Sequence, residues 1–241
     1  YREMTPYRDW VIRAFNENMP FDNFIVDQMA GDLFEQPTVD QLIASGFHRL
    51  HLIIDRGTAL PEESFMRNVV DRVSSVGTAF LGLTLECAVC HDHKYDPITQ
   101  RDFYQFYAFF NNLDADPETG GRRGLDFQRG LQPPYLELPT SEQTVELTRL
   151  DKELSRIRAA LEQLETGSSN EARDSNVDAS PTPAATEQLE TLKRELVQQE
   201  ERRSDLIGRI PATLIMKERS EVRPTYIHVR GNYDQLGEQV E

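Results

Sequence analysis

PEESFMRNVVDRVSSVGTAFLG, residues 61–82, sets Phe65, Val69, Val70, Val73, Val76 and Phe80 at intervals of three and four. That is the period of one helix face, and Pro61 brings a φ already suited to a first turn. The stretch predicts a long helix up to Gly82, which delivers the chain into ECAVCHDHKYDP, residues 86–97. This second stretch holds the only two cysteines of the chain and two of its five histidines. Just beyond, Asp96-Pro97 marks a turn, and Thr99 with Asp102 resembles a capping box whose acid is one carbon shorter than the usual glutamate. The helix it opens carries Phe103, Phe106, Tyr107 and Phe110 on one face. Such a stripe reads first as ordinary core and second as a wall for a flat aromatic cofactor.

Towards the N-terminus, Thr5-Pro6 starts a helix with Trp10, Val11 and Phe15 on its apolar face, stopped by Asn18 to Pro20. Phe21, Phe24, Ile25 and Met29 give a second helix ending near Gly31, and Thr38 caps a third that closes at Gly46. Towards the C-terminus, residues 111–130 turn to Asp, Gly and Arg, and LQPPYLELPT is extended because each proline disfavours helix before it. From about Ser141, Leu147, Leu150, Leu154, Ile157, Leu161 and Leu164 form a coiled-coil seam. A weaker one runs Leu189, Leu192, Leu196, Gln199, Arg203, Leu206 and Ile210. Residues 166–186 between them have little to bury and predict a flexible linker, so the seams fold back as an antiparallel hairpin. Parallel self-association of each seam in a dimer is the competing arrangement. ATLIMKE and TYIHVRG are β-like, with Ile227 and Val229 on one face and Tyr226, His228 and Arg230 on the other. The reading gives three pieces: a helical domain at 1–140, a hairpin at 141–210, and the strand-rich start of a following domain at 211–241.

With 26 basic and 41 acidic residues, the chain has a net charge of -15. That balance argues against nucleic acid and anionic membranes, which need clustered Lys and Arg. No apolar run is long enough to span a bilayer, and none resembles a signal peptide. The chain begins with Tyr1 and reads as a piece of a longer parent, so missing targeting signals say nothing about location.

Cys87-Ala88-Val89-Cys90-His91 has the C-x-x-C-H spacing of a c-type haem attachment sequence. Two thiols one tight turn apart can each form a thioether with one porphyrin vinyl group, and an imidazole in the next position becomes the fifth iron ligand. His91 takes that place. His51 is the first candidate for the opposite face, with His48 as second and Met66 and Met29 as thioether alternatives. His93 lies too near His91 to cross the ring and is read as contacting a propionate, a carbonyl or solvent. Zinc is the competing cofactor, held by Cys87, Cys90, one of His91 or His93, and His48 or His51. A redox dithiol and a structural disulfide are further alternatives. Asp92 and Asp96 read as turn and cap residues, Lys94 as solvated, and His228 as structural.

YRDWVIRAFNENMPFDNFIVDQMAGDL, LIASGFHRLH, the block from Val69 to Asn112, and RPTYIHVRGNYDQLGEQV together resemble the planctomycete cytochrome-c-like proteins. These are large exported proteins whose central domain of unknown function carries a C-x-x-C-H-D-H-K-x-D-P block. The resemblance covers residues 1–140 and 211–241. It implies an N-terminal cytochrome c module and a larger C-terminal domain outside this sequence, with Cys87 and Cys90 as thioether positions and His91 as proximal ligand. DRGT at 55–58 departs from the acidic Gly-Gly turn of many relatives.

The expected fold is therefore mainly α: a helical cytochrome-c-like domain with an inserted antiparallel coiled-coil hairpin and the β start of a further domain. The expected function is electron transfer by covalent haem c in a periplasmic or exported multi-domain protein, more a cytochrome than a catalyst in its own right. Its partners would be a redox protein, other domains of the same parent chain, or a coiled-coil partner. The alternative is a non-redox scaffold or binding module held by zinc or a disulfide, possible within a polysaccharide-degrading assembly.

Overall fold

A computed structural model describes residues 2–52, 60–116, 124–174 and 183–240, and its architecture is mainly α. The order is α1 (Thr5–Asn16), α2 (Phe21–Ala30), α3 (Val39–Ser45), α4 (Pro61–Val76), α5 (Gln100–Asn111) and the single turn α6 (Leu125–Gln128). Strand β1 (Tyr135–Glu137), the long helices α7 (Ser141–Asp174) and α8 (Pro183–Arg209), and strands β2 (Ala212–Leu214), β3 (Thr225–His228) and β4 (Leu236–Val240) complete it. β1 pairs with β2 and β3 with β4, the latter antiparallel with an irregularity between Tyr226 and His228.

Local chemistry accounts for the helix boundaries. Thr38 and Gln41 close a reciprocal capping box on α3. Thr99 and Asp102 do the same on α5, with the Thr99 N–H donating to Asp102 Oδ2 at 2.8 Å. The shorter acid still reaches. The helix read as running to Gly82 is regular only to Val76; residues Gly77–Leu81 widen into a π turn before Gly82 ends it at φ +67°.

Contacts divide the chain into two units, Tyr1–Leu136 with Ala212–Glu241, and Glu137–Pro211. In the first, Val69, Val73 and Val76 of α4 pack against Phe103, Tyr104, Tyr107 and Phe110 of α5. Leu85, Ala88 and Val89 from the cysteine turn and Val240 of β4 join that core. The aromatic stripe is thus ordinary core: its rings meet one another, His48 and His228. Of residues 211–241, expected as the start of a separate domain, those from Ala212 onward instead fold back into the first unit. Arg49, fully buried, donates from Nη1 to the carbonyls of Pro134 (2.7 Å) and Ile215 (2.9 Å) and from Nη2 to that of Gln132 (3.1 Å). Asn111 Nδ2 donates to Thr225 Oγ1, and the Arg223 N–H to Asn112 Oδ1. These bonds join residues more than 80 positions apart, which no local pattern announces.

The second unit is an antiparallel helical hairpin. Thr140 and Gln143 box the start of α7, and Leu150, Leu154 and Ile157 are buried along the seam. Arg203 pairs with Asp151 at 2.7 Å and Arg158 with Glu200 at 2.8 Å, so an advance along one helix is matched by a retreat along the other. Within this one chain the two helices pair with each other. Helix also extends further than read: α7 runs to Asp174 and α8 begins at Pro183, leaving only 175–182 of the expected 166–186 linker outside the described residues.

Candidate functional site

The cysteine turn is a short 3-10 segment, Leu85–Val89, clamped from two sides. Leu85 and Ala88 sink into the core, which turns Cys87 and Cys90 outward; both thiols are free and exposed. The Val89 carbonyl accepts from Gln100 Nε2 at 2.8 Å and from Tyr104 Oη at 3.0 Å. Burial, then the neighbouring Cys90, pushes the Tyr104 phenol far above its ordinary pKa, so it stays a donor. Asp92 Oδ1 accepts from the Gln100 N–H at 2.8 Å and so helps start α5. The turn is held by α5 before any ligand is considered.

The histidines separate into distinct roles. His91 is exposed, and its Nδ1 lies 2.7 Å from the Asp92 carbonyl. A carbonyl can only accept, so Nδ1 carries the proton and Nε2 is the nitrogen with a lone pair to offer. His93 does the reverse. Its Nδ1 accepts from the backbone N–H groups of Asp96 (2.9 Å) and Tyr95 (3.3 Å). The Asp96 carboxylate lies 3.2 Å from the same atom, but two donors aimed at Nδ1 require it to be unprotonated. His93 closes the 93–98 turn, with its own N–H on the Ile98 carbonyl, rather than contacting solvent.

His48 and His51 lie elsewhere. His48 is fully buried, edge-on to Phe47 and 4.8 Å from the Phe110 ring. Its backbone carbonyl accepts from Arg72 Nε at 2.8 Å, and Arg72 Nη2 reaches His51 Nδ1 at 3.3 Å. Burial, reinforced by the positive Arg72, pulls the His48 pKa from 6.5 down to about 3, so it is neutral at physiological pH. Among the described residues no group of three or more His, Cys, Asp or Glu side chains gathers where it could hold a metal ion. The structure thus joins His48 and His51 through Arg72 and joins Cys87, Cys90, His91 and His93 through one turn. It does not bring the two sets into one ligand cluster.

What lies beside the cysteine turn is a cleft of about 530 Å³. Met66 and Val70 of α4 form one wall, Val89 and Cys90 a second, and Gly231 to Asp234 of the turn between β3 and β4 a third. Met66, one of the thioether alternatives, therefore shares this cleft with Cys90. The third wall was not readable from sequence; its one local signal was Gly231, inside RGN. Gly231 has φ +72°, and a Cβ there would stand 2.8 Å from Cys90 Sγ and 3.1 Å from Val89 Cγ1. Gly231→Ala should therefore lower stability by about 1–3 kcal/mol and change the alkylation rate of Cys90 while leaving that of Cys87 unchanged. Urea unfolding and iodoacetamide kinetics check this, and equal effects on the two thiols would contradict the contact.

The residues suit the attachment side of a covalent haem. Two accessible thiols sit three residues apart, followed by an imidazole whose Nδ1 is fixed on a carbonyl, which leaves Nε2 as the nitrogen with a lone pair to offer a metal. Residues 1–115 match the family model PSCyt2, described as a protein of unknown function (DUF1549). No curated protein and no solved structure matches the chain.

Proposed function

We propose that this chain is a c-type haem-binding electron-transfer module of an exported multi-domain protein in the planctomycete cytochrome-c-like family. The observation that carries the reading is the exposed, unpaired Cys87–Cys90 couple followed by His91 with its Nδ1 committed to the Asp92 carbonyl. Cys87 and Cys90 would hold the group by thioethers and His91 Nε2 would be the proximal ligand. Bound haem would supply a one-electron couple. The protein's part is to hold the turn: Gln100 and Tyr104 fix the Val89 carbonyl, Asp92 binds the start of α5, and His93 shapes the loop that follows. His51 and His48 enter as distal ligands only if their buried group around Arg72 rearranges. Met66, a core residue that also lines the Cys90 cleft, is the further candidate. Among the described residues no helix is long and apolar enough to cross a membrane. Periplasmic or exported location follows from the proposed cofactor, whose attachment occurs outside the cytoplasm.

A second reading has its own support. The motif turn is already held by protein hydrogen bonds, as a scaffold held by a disulfide or zinc, without redox function, would be. One experiment separates the two. A pyridine haemochrome spectrum is taken on protein exported by cells that attach haem covalently, with zinc quantified in the same sample. A c-type band should survive acid-acetone extraction and disappear in the Cys87→Ala, Cys90→Ala variant. Protein without haem, whether it holds stoichiometric zinc or neither metal, would end the cytochrome reading.

A further inference from the structure

We propose that Asp92 is a positioning residue for His91: its carboxylate, anchored on the first turn of α5, holds the Asp92 carbonyl against the His91 ring and so keeps the proton on Nδ1. The inference rests on the proposed function only in taking His91 Nε2 as the iron-binding atom.

His91 Nδ1 and the Asp92 carbonyl are 2.7 Å apart, yet they belong to adjacent residues. Both side chains are exposed, so the bond lasts only while the peptide unit from Asp92 to His93 keeps its carbonyl turned back towards the ring. That unit is pinned on both sides. On one, Asp92 Oδ1 accepts from the Gln100 N–H at 2.8 Å, one of the donors that a helix start leaves without a partner inside the helix. On the other, the His93 N–H of the same peptide unit donates to the Ile98 carbonyl at 2.8 Å, and Ile98 packs against the core. Gln100 also reaches back past His91, its Nε2 donating to the Val89 carbonyl at 2.8 Å. The start of α5 thus grips the chain before and after His91, and the imidazole between meets a fixed acceptor. The consequence is a choice of tautomer. A neutral histidine side chain free in water carries its proton mainly on Nε2, which leaves the more crowded Nδ1 with the lone pair. A carbonyl fixed on Nδ1 reverses that order and presents Nε2. The same bond strengthens the imidazole as a donor, so Asp92 acts on a metal at Nε2 through His91, without touching it.

The test uses the full-length chain without haem, labelled with the heavy nitrogen isotope. Long-range proton–nitrogen correlation at about pH 8, where an ordinary imidazole is neutral, reads the tautomer of each histidine, and His91→Gln identifies the signals of His91. The parent His91 is expected in the Nδ1–H form. Asp92→Ala should move it towards Nε2–H, changing the ratio of the two forms by about three- to tenfold, the scale of one net hydrogen bond. Asp92→Asn keeps a side-chain oxygen that can accept from the Gln100 N–H, and should keep the parent ratio. Both variants should retain a cooperative thermal melt, since the side chain they alter is exposed. A parent His91 in the Nε2–H form would overturn the proposal before any variant is made. An Asp92→Ala protein that keeps the Nδ1–H form, or an Asp92→Asn protein that loses it, would do the same. No haem is present in this test, so its failure is distinct from a failure of the haemochrome experiment.

Discussion

Arg49→Met is expected to remove about 3–6 kcal/mol of stability, enough to unfold many domains of this size. The guanidinium is wholly buried and spends its Nη1 and Nη2 protons on three backbone carbonyls, those of Gln132, Pro134 and Ile215. Methionine fills most of the volume but donates nothing, so three buried acceptors lose their partner at about 1–3 kcal/mol each, with incomplete additivity. The carbonyls belong to two separate stretches, 132–134 and 215, and Arg49 is the clamp that brings both against the end of α3. Arg49→Lys keeps the charge but not the planar fork, and should recover less than half of the loss. Urea unfolding followed by circular dichroism measures both; a loss below about 1 kcal/mol for Arg49→Met would show that water or relaxation replaces the clamp.

The second large effect is a dependence on pH. His48 has its pKa lowered from 6.5 to about 3 by burial and by Arg72. Between those values the unfolded chain binds a proton that the folded chain refuses. The stabilisation is therefore complete above pH 6.5 and is lost progressively as pH falls towards 3. At about 1.4 kcal/mol per unit, the fall from pH 8 to pH 5 attributable to His48 is about 2 kcal/mol, and it grows further below. His228, also lowered by burial, acts in the same direction. His48→Leu keeps the shape and cannot titrate, so its stability difference between pH 8 and pH 5 should be smaller than that of the parent by about 2 kcal/mol. Parallel pH profiles for the two proteins would rule out His48 as the source.

The contrast between Thr99 and Arg49 marks what the sequence can express. A capping box, a proline at a first turn, a period of three and four: each is satisfied within a few residues, and the starts of α1 to α5 and the hairpin seam follow from such signals. The cysteine turn was legible for the same reason. Its setting was not. Arg49 reads as one more surface cation until carbonyls more than 80 positions away are placed around it. His48 and His51 looked like candidate ligands because a sequence shows donor atoms and not the burial that engages them. Gly231 and Asp234 were assigned to another domain because a break in pattern at residue 211 looks the same whether the chain departs or returns. The π turn at Gly77–Leu81 escaped because apolar periodicity continues through it.

The strands β1 and β2, paired across the insertion, bear on the order in which the protein acquires its shape. Unit one cannot be completed until Ala212 arrives, after a detour of roughly 75 residues whose closure as a flexible loop would cost several kcal/mol of entropy. A hairpin that zips from contacts along its own two helices removes most of that detour beforehand, because its two feet emerge side by side. The coiled coil would then act as a splint for the pairing of β1 with β2, and the folding rate of the cysteine-bearing unit should depend on the helix strength of residues that unit never uses.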